Sequence, residues 1–194
     1  MKKSEEVKEK IIEVTISLIH ESAGDVAEIN TRAIAEKAHV GIGLINYHFQ
    51  TKENLIEICV ERMIGKVISV FAPSAPELTP TARLKHSVKL VFDFFIANPA
   101  VTRISILSDC KNPKQDDNTM KSVMGICKGS DDFKIPENKR FIFAFTLVSV
   151  MQAMFLRKDQ SNEYFGYDLN IKKQRDEVLD LLIDNIFGRS GDEK

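Results

Sequence analysis

A chain of 194 residues, 43% hydrophobic and 28% charged, has the composition of a globular protein and is too apolar for a disordered one. The net charge is −1, and the first 62 residues carry eight Lys and Arg against eleven Asp and Glu, so bulk positive charge is excluded as the basis of any nucleic-acid binding. Cys59, Cys110 and Cys127 are widely spaced and form no CxxC pair, which argues against a disulfide scaffold and for reduced thiols.

The charged start, MKKSEEVKEK, lacks the apolar core of a signal peptide, which makes the cytoplasm the default location. Val7, Ile11, Val14 and Leu18 then recur at intervals of three and four, predicting an amphipathic helix over residues 4–21 that Gly24 and Asp25 break. Thr31 offers an N-cap for a short helix over 32–38, and His39 follows where a turn is needed. A second short helix is expected near 42–48. Thr51 caps the next, with Glu53 in its first turn, where the helix dipole favours an anion; that helix can run to residue 71.

"APSAPELTP" is a connection, and Thr79-Pro80 starts a helix over 80–97. Asn98-Pro99 ends it and opens another, to about 109. A weaker helix covers 113–128, a very apolar one 137–158, and a last one 170–187. Within 137–158, "FIFAFTLVSVMQAMFL" is 16 residues long and includes Thr146, Ser149 and Gln152, short of the ~20 apolar residues of a membrane span; a buried helix is expected and no membrane. No run alternates over strand length, so the fold class is all-α.

Residues 31–49 have the layout of a helix-turn-helix. Ile34 and Ala38 supply core contacts, Ala35 is small where a second helix must cross closely, Val40 plugs the turn, and Ile45 points inward from the second helix, leaving its other side free to enter a DNA groove. Phenol and imidazole tips hydrogen-bond phosphate oxygens, and the start of the next helix, with Lys52 on it, can hold another phosphate.

"TRAIAEKAHVGIGLINYHFQTKENLIEICVERM" resembles the DNA-binding domain of the TetR family of bacterial transcriptional regulators, the "YHF" and "TKENL" strings most of all. The resemblance covers residues 7–63. It implies a homodimer that binds a palindromic operator on double-stranded DNA, usually to repress, and a small molecule in the C-terminal region that releases the DNA. By position, Thr31, Tyr47, His48 and Lys52 match phosphate contacts, and Ile42, Gly43, Leu44 and Asn46 match positions facing the groove; Arg32 joins this DNA-binding set. Ile42, Gly43 and Leu44 bring no hydrogen-bonding side chain, so the expected readout is apolar contact to thymine methyls plus Asn46, with DNA shape supplying the rest. Lys2 and Lys3 are read either as an arm on phosphate or as a solvated tail. The domains expected are a helix-turn-helix domain over 1–50 and a helical effector-binding and dimerisation domain over 51–194, connected by helix 51–71.

Eleven of the twelve phenylalanines lie after residue 70. Phe92, Phe95, Met124, Phe141, Phe145, Gln152 and Phe155 either line a pocket for a small hydrophobic effector or fill a plain bundle core. Helix 137–158 is apolar nearly all round and must be buried on all sides; with helix 170–187 it is expected to form the dimer interface. The four histidines are scattered, with no HExxH, no GxSxG elbow and no glycine-rich phosphate loop, so no catalytic residue, metal site or cofactor is expected. The leading reading is an effector-controlled repressor. The others are a helical carrier or enzyme for hydrophobic ligands with a vestigial DNA-binding head, and a regulator controlled by a protein partner.

Overall fold

The computed structural model describes residues 2–22, 24–68, 77–133 and 135–187. Among these the chain is helical and no strand occurs: α1 (Lys2–Glu21), α2 (Thr31–Ala38), α3 (Ile42–Phe49), α4 (Lys52–Ile68), α5 (Pro80–Ala97), α6 (Pro99–Lys111), α7 (Asn118–Gly129), α8 (Glu137–Leu156), a 3-10 turn (Lys158–Gln160), α9 (Ser161–Phe165) and α10 (Lys172–Phe187). The expected end of α4 at residue 71, the connection over 72–76 and the side chains of Lys2 and Lys3 lie outside the described residues. Two compact units form, Met1–Lys66 with Asn98–Lys111, and Val67–Ala97 with Asn112–Lys194.

In the first unit, α1 buries Ile11, Ile12, Thr15 and Ile19, while Val7, Val14 and Leu18 are only partly covered. The buried stripe is broader than the sequence period suggested because α2, α3 and α6 all pack on this helix. Thr15 tolerates burial because its hydroxyl donates to the Ile11 carbonyl at 2.7 Å. The cap of α2 is Asn30, one residue before the expected Thr31: its side chain accepts from the Ala33 N–H at 2.8 Å, and Thr31 is already helical. Asn caps as well as Thr or better, and the residue that stays extended takes the role. Thr51 does cap α4, its hydroxyl accepting from the Asn54 N–H at 3.1 Å.

Leu55, Ile56, Cys59 and Val60 of α4 and Ala100, Val101 and Ile104 of α6 join the same apolar cluster as Ile34, Ala35, Ala38, Ile45 and Phe49. The first unit therefore does not stop at residue 50; it takes in α4 to Lys66 and recruits α6. Gly24 makes room for α6. Its φ of +92° favours glycine, and a Cβ there would stand 3.1 Å from the Ala100 Cα and carbonyl oxygen and from the Arg103 Cβ.

The second unit contains α5 and α7 to α10. Thr79 caps α5 ahead of Pro80, accepting from the Ala82 N–H at 3.3 Å. The core is built from Leu84, Val88 and Phe92, Val123 and Ile126, Ala144, Leu147, Val148, Met151, Met154 and Phe155, and Leu179, Ile183 and Phe187. α7 starts at 118, not 113, because Asp117 is its cap, one oxygen accepting from Met120 N–H and the other from Lys114 N–H. α8 stops at Leu156, two residues early, and the 3-10 turn and α9 follow where no element was expected.

A ladder of ion pairs joins α5 to α10, which run antiparallel. Lys85 meets Asp184 at 2.7 Å, Lys89 meets Asp180 at 2.8 Å, and at the third rung the charges reverse, Asp93 accepting from Lys172 at 2.7 Å and Arg175 at 2.6 Å. Arg175 is buried and also donates to the Leu169 carbonyl at 2.9 Å. Burial pushes the Asp93 carboxyl up, but the hydrogen bonds from Lys172 and Arg175 outweigh it and hold its pKa below the ordinary value.

α8 has the length and hydropathy of a membrane-crossing helix. Its inward face packs in this unit through Ala144, Leu147, Val148, Met151, Met154 and Phe155, and its Arg140 pairs with Asp131. Burial on all sides is not met within one chain, since Phe141, Ile142 and Phe145 are 38%, 60% and 45% exposed. The helix is apolar all round, but its own unit covers only part of it.

Candidate nucleic-acid interface

α3 is an eight-residue helix with two unlike faces. Ile45 and Phe49, at an i, i+4 spacing, are 1% and 0% exposed and fix it to the core. Ile42, Gly43, Leu44, Asn46 and Tyr47 are exposed, Tyr47 at 77%. Bare apolar and aromatic side chains on a rigidly anchored helix suit contact with base edges, and eight residues rise ~12 Å, close to the width of a major groove. Among the described residues, and leaving aside the chain neighbours and the helix's own backbone, nothing lies within 4 Å of where a Cβ would stand on Gly41 or Gly43, so the core does not require these glycines. They leave the backbone open at the start of the helix.

Among the other residues predicted for this site, Thr31 is half-buried in the first turn of α2. Arg32 is exposed and pairs with Glu36, Nε to carboxylate, at 3.0 Å. A surface pair of this kind is worth at most ~1 kcal/mol and yields readily to a phosphate. The half-buried His48 ring stands edge-on to Tyr47, centroids 5.1 Å apart, and 6.0 Å from the Phe49 ring. Lys52, also half-buried, donates through Nζ to the Val26 carbonyl at 3.3 Å, which fixes the start of α4 to the loop before α2. Lys37 donates to Glu21 and Ser17, and the hydrogen bonds that Glu21 accepts from Lys37 and from the Ser17 hydroxyl lower the Glu21 pKa.

The sequence reading missed Asn54. Its side-chain amide donates to the Phe49 carbonyl at 2.9 Å, while its backbone N–H is capped by Thr51. This one residue ties the end of α3 to the first turn of α4 and so sets Tyr47 and Lys52 in a fixed relation. The "TKEN" string contained it, but only the bond across the turn reveals its role.

The residues proposed to line an effector pocket separate into groups. Phe92, Phe95 and Phe155 come together, with ring centroids 5.7 Å apart for the first pair and 5.6 Å for the last two. The Gln152 amide, half-buried, donates to the Thr119 hydroxyl at 2.9 Å, bridging α8 to α7. Phe141 and Phe145 instead share the exposed stripe of α8, and Met124 on α7 is exposed at 47%. Cys59 is sealed in the first core, where burial pushes its thiol up to about 12, leaving it protonated and unreactive.

Residues 11–59 match the family model described as bacterial regulatory proteins, tetR family. The chain is 26% identical over 186 residues to the nucleoid occlusion factor SlmA of Actinobacillus pleuropneumoniae serotype 5b, covering 89% of this chain and 91% of that protein. It is 25% identical over 189 residues to the HTH-type transcriptional regulator BetI of Pectobacterium carotovorum, covering 92% and 91%. A TetR transcriptional regulator from Rhodococcus sp. RHA1 superposes with a TM-score of 0.62 at 14% identity over 96% of this chain and 99% of that one, and a tetR-family regulator from Streptomyces coelicolor with 0.61 at 18% identity over 94% and 79%. At those identities the structural likeness speaks for the fold.

Proposed function

We propose that this chain, which matches the TetR family of bacterial regulatory proteins over residues 11–59, is a DNA-binding transcriptional regulator and not an enzyme: a cytoplasmic repressor that binds a palindromic operator as a homodimer and leaves it when a small apolar effector binds. The observation that carries the reading is the division of α3 between a buried anchor, Ile45 and Phe49, and an exposed face, Ile42, Gly43, Leu44, Asn46 and Tyr47. In the proposal this face enters the major groove, Asn46 reads a base, Ile42 and Leu44 meet thymine methyls, and Thr31, Arg32, Tyr47, His48 and Lys52 hold phosphates.

The uncovered apolar stripe of α8, Phe141, Ile142 and Phe145, together with Leu181 of α10, 57% exposed, supports a second copy as its cover. The Phe92, Phe95 and Phe155 cluster, with Gln152 nearby in sequence on α8, is the proposed place of the effector. Binding of the full chain to a duplex from the region upstream of its own gene, followed by fluorescence anisotropy against salt, tests the reading. With Arg32 and Lys52 as the cations proposed to neutralise phosphates in each of two heads, log K should fall against log salt with a slope of roughly −4, shallow for a DNA-binding protein. A monomer in sedimentation that ignores every duplex at low salt would refute it.

A further inference from the structure

Among the described residues, two that are not glycine hold a positive φ, and they bracket α3. His39, before it, has φ 54° and ψ 47°; Gln50, after it, has φ 66° and ψ −57°. At Gln50 the Thr51 N–H donates to the Phe49 carbonyl at 2.7 Å, closing a three-residue turn of the rarer, strained hand. At His39 the chain is left-handed, and the Val40 N–H reaches back to the Ala35 carbonyl at 3.0 Å. Glycine takes both conformations without the clash that a Cβ brings.

The fold draws no visible return from either side chain. Both are exposed, and neither makes a side-chain hydrogen bond, ion pair or ring contact among the described residues. Strain kept at a position whose side chain does nothing for the core is a mark of a contact made outside the chain. Their placement says where that contact lies. The two residues stand at opposite ends of a helix about as long as the major groove is wide, next to exposed residues on each side, Gly41 and Ile42 at one end and Thr51 at the other. Imidazole N–H and carboxamide NH2 are both hydrogen-bond donors.

We propose that His39 and Gln50 are phosphate contacts that clamp the two walls of the DNA groove on either side of α3. The inference rests on the DNA-binding reading above. DNA phosphate supplies the acceptors, and each strained turn aims one donor at a wall while α3 lies between.

The test uses the full chain, the upstream duplex and an unrelated duplex of equal length at low salt, with a thermal melt of each variant. His39→Gly and Gln50→Gly relieve the turns, so each should raise Tm by about 2–4 °C. Each should also weaken binding to both duplexes by the same factor, about tenfold. His39→Asp and Gln50→Glu keep a side chain but set a carboxylate against phosphate, and should weaken binding further. Glycine variants that melt higher and bind as well as the unaltered chain would overturn the proposal, as would a loss confined to the upstream duplex, which would mean base reading. An unaltered chain that binds neither duplex would instead bring down the DNA-binding reading itself.

Discussion

Asp93→Asn removes one charge from the third rung of the α5–α10 ladder and little volume. Arg175 then keeps its carbonyl partner at Leu169 but loses the only carboxylate it bonds among the described residues. Breaking a fully buried pair costs ~3–5 kcal/mol, because it strands a charge. Here the Arg175 side chain is 5% exposed but that of Asp93 is 32%, so solvent screens part of the loss and about 2 kcal/mol is the appropriate figure. For a unit of this size each kcal/mol shifts the midpoint by ~4 °C, so the transition of the second unit should fall by about 8 °C at pH 7. Lys85→Ala, at an exposed rung, serves as the control and should cost no more than ~1 kcal/mol. The pH dependence has a definite sign. A carboxyl whose folded pKa is lowered stabilises the fold above its unfolded pKa, and that stability disappears as pH falls through the folded value. The gap between the unaltered protein and Asp93→Asn should therefore be full at neutral pH and close below about pH 4. Calorimetry reads both quantities. A drop no larger than that of Lys85→Ala, or a gap that stays constant down to pH 2, would refute the argument that Asp93 neutralises a buried cation.

Ile45→Ala, at a 1% exposed site, should cost the first unit ~2–4 kcal/mol, whereas Tyr47→Ala two residues on should leave its stability within ~0.5 kcal/mol and abolish most DNA binding; melts and anisotropy on the pair separate anchor from contact. Gly24→Ala should destabilise the first unit by ~1–3 kcal/mol in chemical denaturation, because it combines an unfavourable φ with a 3.1 Å approach to the Ala100 backbone. At pH 8 a thiol reagent should modify exposed Cys110 and leave Cys59 untouched until the protein unfolds.

Local signals in the sequence were read well. The Thr51 and Thr79 caps, the proline starts of α5 and α6, the break at Gly24 and the inward Ile45 each depend on neighbours within one turn, and each stands in the structure. Asn30 displaced Thr31 as a cap because both residue types cap and the backbone decides between adjacent ones. The ladder from α5 to α10 was hidden because its partners are 79 to 99 residues apart in sequence, and periodicity within α10 shows only that Asp180 and Asp184 sit off the apolar stripe. Phe141 and Phe145 looked like lining residues on composition alone; in a helix apolar on every side, only the neighbours determine which face is covered. The exposed face of α3 was legible through its spacing, whereas the strain at Gln50 was not, since glutamine gives no hint of a left-handed turn.

Because α6 seals the first unit, the DNA-binding part is not a portable module. A ribosome making this chain must have released Ala100, Val101 and Ile104 before the amino-terminal core can close, so more than half of the protein exists before its head is finished. For the same reason a graft of residues 1–66 onto another protein would carry an open seam along α1, and any transplant of this head has to bring the later helix with it.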